Sequence, residues 1–144
     1  MTIDSRLQAL FGRFRDCLAS DAAEGFLGVL LELMALAVLL DPAFRRNVHG
    51  FNARYLFKTK DGKVAATAIF GHGLMEVVPR ETPGQLPDIT VEFRDAKALV
   101  GFLLARDPDI IGAMMRQDVT MEGNLNYLYK FAYMARHLQS RVAV

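Results

Sequence analysis

The amino-acid sequence predicts an α+β domain: a five-stranded, mainly antiparallel sheet covered by helices, with extra helices at the N-terminus. Three observations predict it. The first forty residues carry apolar side chains at helical spacing. From Phe51 the period shifts to two, with tight-turn signals between the runs. After Asp95 helical spacing returns, broken by one short alternating segment. At 144 residues the chain reads as one domain, 1–144, made of a helical N-terminal extension (1–48) and an α/β body (49–144).

Ile3, Leu7, Leu10, Phe11, Phe14 and Leu18 recur on one helical face, with Arg6, Arg13 and Arg15 mostly off it, so a first helix ends near Ser20. Ser20-Asp21 can cap a second, FLGVLLELMALAVLL, which Asp41-Pro42 stops after Leu40. Apolar residues surround this second helix, and it needs cover on more than one side. It is shorter than the ~20 residues of a membrane span, and Glu32 interrupts it. Thr2 to Leu40 is therefore expected to be helical without crossing a membrane. Arg45-Arg46 reads as a solvated face.

Phe51, Ala53, Tyr55 and Phe57 alternate with Asn52, Arg54, Leu56 and Lys58, the pattern of a half-buried strand. Lys60-Asp61-Gly62-Lys63 is a hairpin signal, and Lys63 to Phe70 is the return strand. Gly71-His72-Gly73 turns the chain into Leu74 to Val78. Pro79, Pro83 and Pro87 make the next stretch a loop, and Ile89, Val91 and Phe93 form a fourth strand. Asp95 can cap a helix to about Ala105. Asp107-Pro108 supplies cap and first-turn proline for another, carrying Ile110, Ile111, Met114 and Met115. Val119 and Met121 share one face of a short fifth strand, and Gly123-Asn124 opens a last helix to about Leu138. That helix has two apolar stripes: Leu125, Leu128, Ala132 and Ala135, then Tyr127, Phe131, Met134 and Leu138. Asn124, Asn126, Lys130, Arg136 and His137 read as wet.

Composition excludes several functions. A net charge of +1 gives no electrostatic footprint for nucleic acid. One cysteine, Cys17, rules out an intramolecular disulfide framework and fits a reducing compartment; with no targeting segment evident, a cytoplasmic location is expected. His49, His72 and His137 lack metal-ligand spacing, and Gly71-His72-Gly73 has neither the third glycine nor the following helix of a nucleotide fingerprint. No nucleophile elbow or Walker loop is present, so no cofactor and no enzymatic reaction are expected. What stands out is surplus apolar surface with seven methionines, which suits packed core, a dimer interface or an apolar cavity.

From Phe51 to Leu138 the chain resembles the sterol carrier protein 2 family. The marks are the Lys-Asp-Gly-Lys hairpin, Pro87-Asp88-Ile89-Thr90-Val91, the helix entered at Asp95, and Asp107-Pro108 leading to Met114-Met115. Asp118-Val119-Thr120-Met121-Glu122-Gly123-Asn124 completes them. The resemblance implies a five-stranded sheet with helices on one side and an apolar tunnel that binds fatty acids, acyl-CoA, phospholipids or sterol-like lipids without chemistry. Its wall would fall on Phe93, Leu99, Phe102, Leu103, Ile111, Met114, Met115, Met121, Leu125 and Leu128. The chain departs from the family at Gln117, where a glycine is usual, and in its apolar N-terminal helices. Those helices are expected to lid the tunnel or to pair two subunits, and transient contact with a membrane surface fits a carrier. The rival expectation is a dimerising accessory protein whose tunnel is filled.

Overall fold

One sheet, of strand order β3-β2-β1-β4-β5, organises the chain. β1 (Ala53–Thr59), β2 (Ala65–Gly71) and β3 (Leu74–Val78) form an antiparallel meander; β4 (Ile89–Phe93) runs parallel to β1, and β5 (Val119–Gly123) antiparallel to β4. Around it are α1 (Phe26–Leu40), α2 (Pro42–Arg45) with a 3-10 turn at Arg46–Val48, α3 (Ala96–Leu104), α4 (Ile110–Met115) and α5 (Leu125–Val142). This computed structural model describes residues 25–104 and 109–142. The predicted helix from Ile3 to Leu18, the Ser20-Asp21 cap and Asp107-Pro108 lie outside the described residues.

The turns follow their sequence. Gly71 pairs with Leu74, and between them His72 and Gly73 sit at φ 55 and 72, a two-residue turn whose twist matches the strands. The Asp-Gly turn is longer. Thr59 N–H donates to Val64 O at 3.0 Å, so β2 begins at Ala65 rather than at the expected Lys63. Asp61 Oδ1 accepts the Thr59 hydroxyl at 2.6 Å and the Lys63 N–H at 3.1 Å, which together hold its carboxyl below the usual range.

Tyr55, Phe57, Phe70, Val91 and Phe93 bury the inner face of the sheet. The outer face is not uniformly wet as the alternation suggests: Leu56 and Thr67 are buried there too. The proline-rich loop folds over them. The Thr67 hydroxyl donates to Arg80 O at 2.8 Å, and Arg54 Nη1 to the Thr82 hydroxyl at 3.1 Å.

α1 is core. Leu-, Met- and Ala-rich, it has high helix propensity and no charged face to keep in water. It touches β3, β2, α3 and α5, and buries Phe26, Leu27, Leu30, Leu31, Leu33 and Met34. At ~1.5–3 kcal/mol per fully buried leucine, its four buried leucines contribute as much as the whole net stability of an ordinary domain. The surface expected to pair two subunits is thus mostly covered within one chain, Leu39 and Leu40 staying exposed. Asp41 stops α1 and caps α2, accepting from Ala43 N at 3.0 Å. Arg45 is more than a solvated charge: its Nε and Nη2 donate to Val38 O and Leu39 O, both at 2.8 Å, satisfying carbonyls at the end of α1. No single helix among the described residues is long and apolar enough to cross a membrane.

α5 answers why its sequence shows two apolar stripes. Phe131 lies on the sheet, its ring 4.6 Å from Phe57 and 5.8 Å from Tyr55, while the helix also touches α1 and α3. Leu128, Ala132, Met134, Ala135 and Leu138 are buried among these neighbours. Two residues read as wet are half-buried instead. Lys130 lays its ammonium over the Phe51 ring at 4.6 Å, and His137 packs against Phe44 with its Nδ1 2.9 Å from Asn47 Nδ2.

Candidate functional site

The ten positions implied as a tunnel wall separate into three groups. Phe93 at the end of β4, Leu99, Phe102 and Leu103 on α3, and Leu128 on α5 are buried; the Phe93 and Phe102 rings lie 5.7 Å apart. Met114, Met121 and Leu125 are half-buried and pack against that core. Ile111 and Met115 face solvent, 50% and 80% exposed.

Local chemistry explains each placement. α3 starts where Asp95 accepts the Ala98 N–H at 2.8 Å, a cap that, helped by Arg94, holds the Asp95 carboxyl below the usual carboxylate range. α4 starts at Asp109, whose side chain accepts the Gly112 N–H at 2.9 Å. The cap is therefore one aspartate later than the expected Asp107, which shortens the helix to six residues. Ile110 and Ala113 point into the core, and the helix ends as Gln117 takes a left-handed φ of 61. Gln117, where the resemblance implies a glycine, thus adopts a conformation that glycine favours. On β5, Met121 sits opposite Val91 and so faces inward, yet it stays half-buried because helical cover thins at this edge strand. Leu125 opens α5 two residues after β5 ends.

Between α3 and α4 lies a cleft of about 390 Å³. Ala98, Gly101, Phe102 and Ala113 make its apolar part; Arg94, Lys97, Asp109, Arg116 and Asp118 rim it. Asp118 is shared by Arg94 Nη1 and by Arg116 Nε, the latter at 3.1 Å. A second cleft, about 340 Å³, lies against Lys58, Thr90, Glu92, Thr120, Met121 and Glu122, and is polar. Sequence reasoning missed the charged rim, because nothing in the period of the chain brings Lys97 and Arg116 together; the turn through Gln117 does. Behind the site, the buried Tyr55 hydroxyl donates to Tyr127 O at 2.8 Å and ties β1 to α5. Burial pushes its pKa well above the ordinary value. Among the described residues no three His, Cys, Asp or Glu side chains are grouped to hold a metal.

Solved structures share this arrangement. A UbiJ-SCP2 ubiquinone synthesis protein superposes with TM-score 0.58 over 76% of this chain and 95% of its own, at 17% identity. The sterol carrier protein domain 2 of Helicoverpa armigera does so with TM-score 0.55 over 84% and 92%, at 16% identity. The chain has the sterol carrier protein 2 fold. A sec-alkylsulfatase of Pseudomonas sp. contains a region of the same fold: TM-score 0.57 and 20% identity, spanning 74% of this chain and 16% of the sulfatase. No family model and no curated protein matches the sequence. Within this sterol carrier fold, α3, α4 and the start of α5 are the elements around the thinly covered end of the sheet.

Proposed function

We propose that the chain is a non-enzymatic carrier that binds a lipid or other apolar small molecule non-covalently where α4, β5 and the start of α5 meet. The observation that carries this reading is the uneven cover of the sheet's inner face. Over β1, β2 and β4 it is sealed, with Tyr55, Phe57, Ala68, Val91 and Phe93 buried. Over β5 the cover is incomplete: Val119 is buried, but Met121 stays half-buried, as do Met114 and Leu125. Two of these three are methionines, whose flexible thioethers repack around differently shaped guests. An apolar chain entering there would meet Phe93, Leu99, Phe102, Leu103 and Leu128 behind the opening. Each methylene withdrawn from water contributes ~0.8 kcal/mol, so a long chain of about sixteen methylenes supplies roughly 13 kcal/mol, enough for the roughly 8 kcal/mol of micromolar binding after association costs of about 5 kcal/mol. The sterol carrier fold supports the same reading.

Leu125→Trp and Met121→Trp test it. Filling a ligand opening should leave the melting temperature nearly unchanged and cut uptake of a fluorescent fatty acid tenfold or more, about 1.4 kcal/mol. Overpacking plain core would instead cost ~1–3 kcal/mol of stability. Lost stability with unchanged uptake by the folded fraction would remove both residues from the site. Native mass spectrometry of freshly purified protein should show a co-purified lipid.

A further inference from the structure

We infer, resting on the carrier reading, that the guest has an uncharged head group held by hydrogen bonds in the cleft between α3 and α4. Lipids with ionised head groups then bind less well than neutral ones of the same chain length. The cleft is placed to receive the polar end of a guest. Phe102 belongs both to its apolar part and to the core behind the proposed opening, where its ring lies 5.7 Å from Phe93. Gly101, exposed beside it on α3, leaves room there: a Cβ added to it would meet nothing within 4 Å.

The rim carries three charges of each sign: Arg94, Lys97 and Arg116 against Asp95, Asp109 and Asp118. By sequence, the connection 105–108 adds Arg106 and Asp107, again one of each. Most of this charge is spent internally. Asp118 holds Arg94 and Arg116, and Asp95 holds Arg94. Lys97 and Asp109 make no ion pair among the described residues, and the Asp109 carboxylate accepts only the Gly112 N–H there. Among those residues the cleft therefore offers one ammonium and one carboxylate without a counter-ion. A hydroxyl can accept from the first and donate to the second. A guest carboxylate drawn to Lys97 meets Asp109 as a like charge, and one drawn to the arginines must displace Asp118. A guest ammonium drawn to Asp109 meets Lys97. Either ion also leaves water on entering, which a charge does at far greater cost than a hydroxyl.

Pyrene-labelled hexadecanol, hexadecanoate and hexadecylammonium, titrated separately into the full chain at neutral pH, test the inference. The alcohol should bind more tightly than either ion by about tenfold or more. Asp118→Asn keeps the size of the side chain, frees both arginines and leaves the rim one positive charge in excess. It should narrow the alcohol's lead over the carboxylate roughly tenfold. Gly101→Leu fills the cleft from its open side and should weaken alcohol binding about tenfold with the melting temperature nearly unchanged. Circular dichroism checks that both variants remain folded. An ion that binds as tightly as the alcohol, or Asp118→Asn with the wild-type ratio, overturns the head-group assignment and leaves the carrier reading standing. Full alcohol affinity in Gly101→Leu overturns its place in the cleft. Binding of none of the three probes overturns the carrier reading, and the head-group assignment with it.

Discussion

Tyr55→Phe removes one oxygen from the centre of the molecule, and its effect should reverse with pH. The ring is fully buried and packs near Phe57, Phe70 and Phe131, which Phe preserves. What is lost is the 2.8 Å bond to Tyr127 O. That carbonyl lies within α5 and has a second lone pair for its helical partner, so it is not stranded. The cost near neutral pH should be that of one neutral hydrogen bond, ~1 kcal/mol. Alkali adds the opposite effect. Burial raises the folded pKa of Tyr55 above its ordinary value of 10.0, so its protonated form is favoured by folding. The stability due to this shift is fully present below the unfolded pKa and is lost as pH rises toward the folded one. At about pH 11 the unfolded tyrosine is mostly ionised and the folded one is not, which removes ~1.4 kcal/mol from the wild type but nothing from the variant. The variant should thus be less stable at neutral pH and equal or slightly more stable near pH 11. Urea titrations across this range measure both arms. Parallel curves with an unchanged gap would refute the argument that Tyr55 titrates late because it is buried.

Gly123→Ala should cost ~2–3 kcal/mol by thermal melting, because φ is +119 and an added Cβ would lie 2.4 Å from Asp88 O and 2.9 Å from Ile89 Cα; a loss below half a unit would contradict that contact. Gln117→Gly should gain ~0.5–1 kcal/mol by relieving a left-handed backbone, with a loss refuting the strain. Leu30→Ala should cost ~2–5 kcal/mol in urea, since the side chain is fully buried; a near-neutral outcome would make α1 peripheral rather than core.

The sheet was legible wherever one chemical signal governed one element. Alternation from Phe51 to Lys58, Asp61-Gly62 and Gly71-His72-Gly73 gave the meander with its first two strands starting two residues late, at Ala53 and Ala65, because turn chemistry acts over two to four positions. The surplus of apolar residues in α1 correctly demanded cover on several sides, but not which surfaces would provide it. A buried helix reads the same whether its neighbours belong to its own chain or to another. Leu56 was misplaced for a related reason: period two reports the strand's faces, and a distant loop decided which face was dry. Sequence favoured Asp107, followed by a first-turn proline, as the cap, whereas the helix starts from Asp109, whose side chain accepts the Gly112 N–H. Ile111 and Met115 show the limit most clearly. The family resemblance put them on the tunnel wall, and no periodicity within a six-residue helix could separate an inward pair from an outward one.

The packing of α1 between the sheet and α5 has a consequence for synthesis. The chain's greasiest segment leaves the ribosome before α5, one of its covers. At ~5–20 residues per second, the intervening stretch leaves the leucines of α1 without that cover for several seconds in every molecule made. During that interval the hydrophobic segment that later seals the core is a ready target for a chaperone, or for the same segment on a neighbouring nascent chain.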